Sequence, residues 1–178
     1  MSTVPALMTV EEFQALPPDK GELVHELHHG EIVTMTSPKS KHFKLQMRLA
    51  SLLRPKAEHL GIVEIEVPFR AVPQFDLRAA DVAFVSRARW ESIDPEDNLR
   101  GAPELVIEVK SPSNTWRELR ERASLCLANG CLDFGSSMTR PELSRASRRM
   151  GKRQGMRRPI AFPYACSAQT ACPFPRSY

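Results

Sequence analysis

Two short apolar runs constrain this chain more than any other feature. The segments "ADVAFV" at 80–85 and "ELVIEV" at 104–109 are almost unbroken by polar residues. A strand with one wet face alternates apolar and polar side chains, so runs like these are the pattern of strands buried on both faces. A sheet covered on both sides needs helices to cover it, which points to an α/β architecture. With 178 residues the chain is long enough for one domain with a real core.

The remaining elements follow from local signals. Thr9 to Glu12 has the form of a capping box and opens a helix over 10–16 that Pro17 and Pro18 stop. Residues 22–27 and 31–35 read as a β-hairpin whose turn contains Gly30. Apolar residues from Phe43 to Leu53 follow helical spacing over 41–60, with Pro55 interrupting. Residues 62–69, "IVEIEVPF", alternate apolar and acidic, so Glu64 and Glu66 are expected on a solvated face, with a smaller chance that one of them faces a metal. The segment 86–103 reads as a polar loop, and a last helix is expected over 115–129 with Ser113 or Asn114 as its N-cap. The expected fold class is a mixed central β-sheet flanked by helices.

Composition sorts the function classes. Residues 1–134 carry 16 Lys and Arg against 20 Asp and Glu, whereas 135–178 hold nine basic residues and the single acid Glu142. The basicity of the chain therefore lies in its tail, and the acidic body argues against tight sequence-independent binding to nucleic acid. No apolar run reaches the length needed to cross a bilayer, and the N-terminus has no secretory pattern, so a cytoplasmic protein is expected. Cys126, Cys131, Cys166 and Cys172 match no zinc spacing and read as free thiols. His25, His28 and His29 crowd one hairpin without the thiols or acids of a zinc site.

The buried runs also carry charges that packing does not explain. Glu108 and Lys110 project from the same face of one strand, together with Val106. Burying either charge without a partner costs several kcal/mol. Asp81 opens the other apolar run, and if the two strands are neighbours the two carboxylates converge and repel unless a cation lies between them. A hard divalent ion such as magnesium suits such a pair, and Lys110 could then act on a phosphate beside it. Glu-x-Lys alone is common in strands and reads as a structural salt bridge between Lys110 and one of the acids. An acid on the preceding strand, together with "SPSN" opening a helix, favours the site.

These motifs resemble those of the PD-(D/E)xK nuclease superfamily and, within it, the Uma-type restriction endonucleases. The resemblance runs from about Glu11 to Phe134 and is carried by five ordered segments: "HELHHGEIV", "SPKSKH", "AADVAFV", "APELVIEVKSPS" and the helix after it. It implies a restriction-endonuclease-like fold and a metal-dependent endonuclease acting on DNA. By the same resemblance Asp81 and Glu108 bind magnesium, with manganese as the alternative, and Lys110 is the catalytic lysine. Glu26 becomes an additional acid reaching the site from the hairpin. His42 is read as contacting phosphate or serving as a base, against a capping role at its helix start, and Gln46 follows one turn later with a weaker claim. A homodimer is in keeping with the superfamily. Ala80 stands where the family has proline, and Arg122 where it commonly has lysine.

The resemblance ends at Phe134, so the expected domains are a nuclease-like body over 1–134 and a basic, disordered tail over 135–178. Family members continue with a buried strand of the form W-V-V-D. Restoring one T after the Phe134 codon lets Phe-Gly-Ser-Ser-Met-Thr read Phe-Trp-Val-Val-Asp-Asp, so an out-of-frame tail and a sheet lacking its last strands are expected. The competing readings are a genuine basic arm for DNA and a noncatalytic or decayed nuclease-like protein.

Overall fold

The computed structural model describes residues 7–17, 23–111 and 114–137, all within one compact unit. Most of the tail expected to be disordered lies outside these residues, as do Cys166 and Cys172.

Helix α1 (Val10–Gln14) opens on the Thr9 capping box, with the Glu12 carboxylate returning to the Thr9 amide. Strands β1 (Leu23–His28) and β2 (Glu31–Thr36) form an antiparallel hairpin. Its two turn residues, His29 and Gly30, both have positive φ, the requirement of a tight hairpin turn that follows the strand twist. Gly30 has a second reason to be glycine, because a Cβ there would lie 2.7 Å from that of Leu7.

The main sheet has five strands in the order β5, β3, β4, β6, β7. Strand β3 (Gly61–Arg70) pairs antiparallel with β4 (Arg78–Ser86), and β4 antiparallel with β6 (Leu105–Val109). The edges are parallel additions, β5 (Leu99–Arg100) beside the end of β3 and β7 (Asp133–Ser137) beside β6. Helix α2 (Ser40–Ala57) covers one face through Leu49, Ala50 and Leu53 against Val63, Val82 and Ile107. Helix α4 (Trp116–Ala128) brings Leu125 and Cys126 to the other face, against Val67, Phe69, Ala83, Val85 and Val106. The two apolar runs are thus the central strands β4 and β6, buried on both sides as their composition predicts.

Several expectations need correction. Pro55 does not interrupt its helix and sits in the last turn of α2. The N-cap of α4 is Thr115, whose hydroxyl accepts from the Glu118 amide while Glu118 returns to the Thr115 amide. The loop over 86–103 contains a short helix, α3 (Arg87–Glu91), and strand β5. Strand β7 crosses the expected domain limit at Phe134 and continues the sheet to Ser137. Glu64 and Glu66 reach solvent, Glu66 exposed and Glu64 partly so, yet they are not a free face, because α2 engages both: Glu64 accepts from Arg54 at 2.7 Å and Glu66 from Gln46.

Candidate active site

The sheet register decides which of the charged residues meet. Val82 pairs with Ile107 across β4 and β6, so Asp81 and Glu108 occupy the next opposed positions. Asp81 is the hub. Its Oδ1 accepts from Gln46 Nε2 at 2.8 Å and lies 2.9 Å from His42 Nε2, while its Oδ2 accepts from the Val109 amide at 2.6 Å. His42 and Gln46 are one turn apart on α2, which places both on the face turned to Asp81. The Asp81 carboxylate raises the His42 pKa, and the charges of Glu66 and Glu108 act in the same direction. His42 is therefore a partner of Asp81 and not a cap of its helix, whose N-cap is Lys39.

Glu108 is 3% exposed, and burial pushes its pKa up to about 7, with the Arg122 guanidinium opposing and the charges of Asp81 and Glu26 adding. Its Oε2 accepts from Arg122 Nη1 at 3.4 Å, and its Oε1 has no hydrogen-bond partner among the described residues. Arg122 also donates to Glu26 Oε1 at 2.9 Å and to the Ala79 carbonyl at 2.8 Å. Glu26 in turn accepts from the Ala79 amide at 2.8 Å and contacts His28 Nε2 at 2.6 Å. These partners outweigh burial and hold its carboxyl at about 2. The hairpin delivers Glu26 to this place because Leu27 and Leu77 exchange two backbone hydrogen bonds of 2.9 Å, stitching β1 to the approach of β4.

This geometry can be set beside known proteins. A family model described as "Uma2: Putative restriction endonuclease" matches residues 10–134. The chain belongs to the Uma2 family. Its fold is similar to the crystal structure of "a putative nuclease belonging to DUF820" from Anabaena variabilis, with a TM-score of 0.60, 20% identity and 74% of each chain covered. The fold is accordingly restriction-endonuclease-like. No curated protein matches the chain.

Within this Uma2 chain, Lys110 follows the end of β6. Its ammonium donates to the Ser111 carbonyl at 3.1 Å and stands 5.7 Å over the ring of Trp116, the first residue of α4. The structure thus gathers Asp81, His42 and Gln46 in one group and Glu26, Glu108 and Arg122 in an adjoining one, with Lys110 just beyond. Among the described residues, His42, Glu66 and Asp81 offer ligand atoms within 4.8 Å of one another, enough to hold a metal ion. Glu66 was the residue hardest to see in the sequence. Its alternation with apolar neighbours is the signature of a solvated face, and only the register puts it opposite Asp81. Arg122 was visible as a retained positive charge, and its place between two buried acids follows from the packing of α4. The cysteines are not nucleophiles of this site: Cys126 and Cys131 are buried free thiols pushed up to about 12 and about 11 by burial.

Among the described residues no helix is long and apolar enough to cross a membrane.

Proposed function

We propose that this Uma2 chain is built as a divalent-metal-dependent endonuclease that hydrolyses phosphodiester bonds of DNA, with Asp81 and Glu108 holding magnesium, or manganese in its place. The observation that carries the reading is the adjacency of Asp81 and Glu108 just past the β4–β6 ladder, where Asp81 accepts from the Val109 amide, with one Glu108 oxygen left unpaired among the described residues. An orphaned buried carboxylate oxygen is unfavourable unless something positive meets it, so the residues present fit a cation. Restriction-endonuclease-like proteins usually use divalent metals. A bound divalent ion supplies polarisation of a phosphate and a more acidic water.

The protein's own groups then have separate tasks. Asp81 is held rigid by three donors, so its carboxylate is preorganised. Lys110, steadied over Trp116, carries a positive charge suited to the growing negative charge of a phosphoryl group. His42, oriented by Asp81, can give a proton to or take one from a nearby phosphate. Arg122 balances Glu26 and Glu108, so that the acids can be buried together. Nicking of plasmid DNA tests this: activity that requires magnesium or manganese and is lost in Lys110→Ala supports the reading, whereas equal activity in the lysine variant removes Lys110 from it.

A second reading concerns the end of the sheet. We infer that the frame of the chain shifts after Phe134 and that strands belonging to the sheet are replaced by an unrelated tail. Strand β7 supports it. Gly135 has no positive φ to require glycine, and a Cβ there would meet Ile107 at 3.7 Å, ordinary contact with a partly buried side chain. A side chain beginning with a Cβ is accommodated where the sequence supplies none. A sheet that stops early leaves an unpaired edge, a cause of aggregation, and the chain would then carry a catalytic half without lasting activity. Comparing nicking by the chain as it stands with that of a version restored by one base after codon 134 separates the two readings. A cytoplasmic location and a homodimer belong to the same proposal and are tested by fractionation and by light scattering.

A further inference from the structure

We propose that Glu66 is a further metal-binding carboxylate of this site, and that Gln46 is the positioning residue that holds it against Asp81. The inference rests on the metal reading above and extends it to Glu66, which the resemblance does not assign, and to Gln46, to which it gives no defined role.

Glu66 sits directly across β3 and β4 from Asp81, between the paired positions Ile65 with Val82 and Val67 with Ala80. The register is unbroken on either side, yet Glu66 itself adopts φ of 52°, a left-handed backbone that side chains other than glycine seldom take. The flip has a visible consequence. Ile65 packs under α2, whereas Val67, two residues on, packs on the opposite face. A regular strand would keep both on one side.

The Glu66 side chain is received by Gln46. This amide is fully buried, and its nitrogen donates to Glu66 Oε1 and to Asp81 Oδ1 together. Two carboxylates brought to one donor repel each other, and a neutral amide relieves little of that repulsion. The carbonyl oxygen of the same amide is buried without a partner among the described residues. A buried acceptor facing no donor, beside two converging acids, is the surrounding expected of a hydrated cation. His42, within the same 4.8 Å group, offers an imidazole nitrogen as a third ligand atom beside the two carboxylates.

Accessibility separates Glu66 from its neighbours. Glu66 is exposed, so an ion can reach it from solvent, and it also borders a groove of about 450 Å³ with Glu64, Trp90 and Asp97 that does not include His42, Gln46 or Asp81. Glu64, two residues earlier and in the same groove wall, is already paired with Arg54 and serves as an internal control.

The test is manganese binding to the purified full chain, read from the loss of the free-ion signal in electron paramagnetic resonance, with circular dichroism verifying the fold of each variant. Glu66→Gln should weaken binding by about tenfold or more, and Asp81→Asn at least as much, while Glu64→Gln leaves it unchanged. Gln46→Leu should weaken binding several-fold, and combined with Glu66→Gln it should cost less than the sum of the two, since Gln46 acts partly through Glu66 and partly through Asp81. Wild-type affinity in Glu66→Gln, with Asp81→Asn impaired, overturns the proposal and leaves the metal reading standing. Absence of manganese binding by the wild-type chain overturns both. Should Gln46→Leu unfold, Gln46→Met keeps the side-chain length without the amide donor, and wild-type affinity in it alongside a loss in Glu66→Gln removes Gln46 from the proposal.

Discussion

The backbone amide of Val109 donates to Oδ2 of Asp81 at 2.6 Å, so the strand carrying Glu108 is fastened directly to the other acid's side chain. A single hydrogen bond thereby fixes the spacing of the two carboxylates across β4 and β6, and the first prediction follows from it.

Asp81→Asn exchanges one acceptor oxygen for an amide that cannot accept from the Val109 amide and from the α2 donors at once. In the frame-restored chain, nicking should fall by two orders of magnitude or more. The change in thermal midpoint should be small beside that loss, because removing the charge also removes repulsion from Glu108. Plasmid nicking and thermal unfolding of the same preparation check it, and full activity in this variant would falsify the assignment of Asp81.

Arg122 is the only described cation bonded to both Glu26 and Glu108. Arg122→Ala leaves two buried carboxylates without it and should destabilise the domain by about 3–5 kcal/mol. Arg122→Lys keeps the charge but loses the fork that reaches both acids and the Ala79 carbonyl, and should cost clearly less. Denaturant unfolding gives both values; a near-neutral Arg122→Ala would show that the ion network is not what holds α4 to the hairpin.

Glu26 gives the fold an acid limit. Its carboxyl is held at about 2 against an ordinary 4.5. A depressed folded-state pKa contributes stability that is complete above about pH 4.5 and disappears as pH falls toward 2. That contribution is on the order of 3 kcal/mol at neutral pH. Glu26→Gln should lower stability at pH 7 and converge on the wild type near pH 2, a comparison that chemical denaturation at several pH values makes directly.

Gly135 is a glycine in a strand with room beside it. Gly135→Val should stabilise the chain by about 0.5–1 kcal/mol, since it reduces the freedom of the unfolded chain and adds contact with Ile107. Thermal unfolding checks the sign. A loss of stability would mean that β7 does not present this position to Ile107.

Much of the site was legible because burial and charge are in conflict at particular places. Asp81 and Glu108 stand out on runs that are otherwise apolar, whereas Lys110 lies past the end of β6 at Val109, where the two-residue repeat no longer fixes its side. The order of the motifs gave the family and the fold, and the structure places His42 against Asp81 and joins Glu26 to Glu108 through Arg122. The short elements α3 and β5 were not legible, because a five-residue helix and a two-residue strand have no periodicity to read.

What the sequence determined by itself was which residues cannot be at ease: acids in dry strands, a lysine closing one of them, glycines at a turn that needs positive φ. Those follow from local chemistry and the two-residue repeat of a strand. Only the tertiary structure decided which of them meet. Strand register set Glu66 opposite Asp81, the packing of α2 brought Gln46 between them, and α4 carried Arg122 to two acids separated from it by 96 and 14 residues in the chain. Such distances are set by how the helices settle on the two faces of the sheet, and no local pattern in the chain contains them.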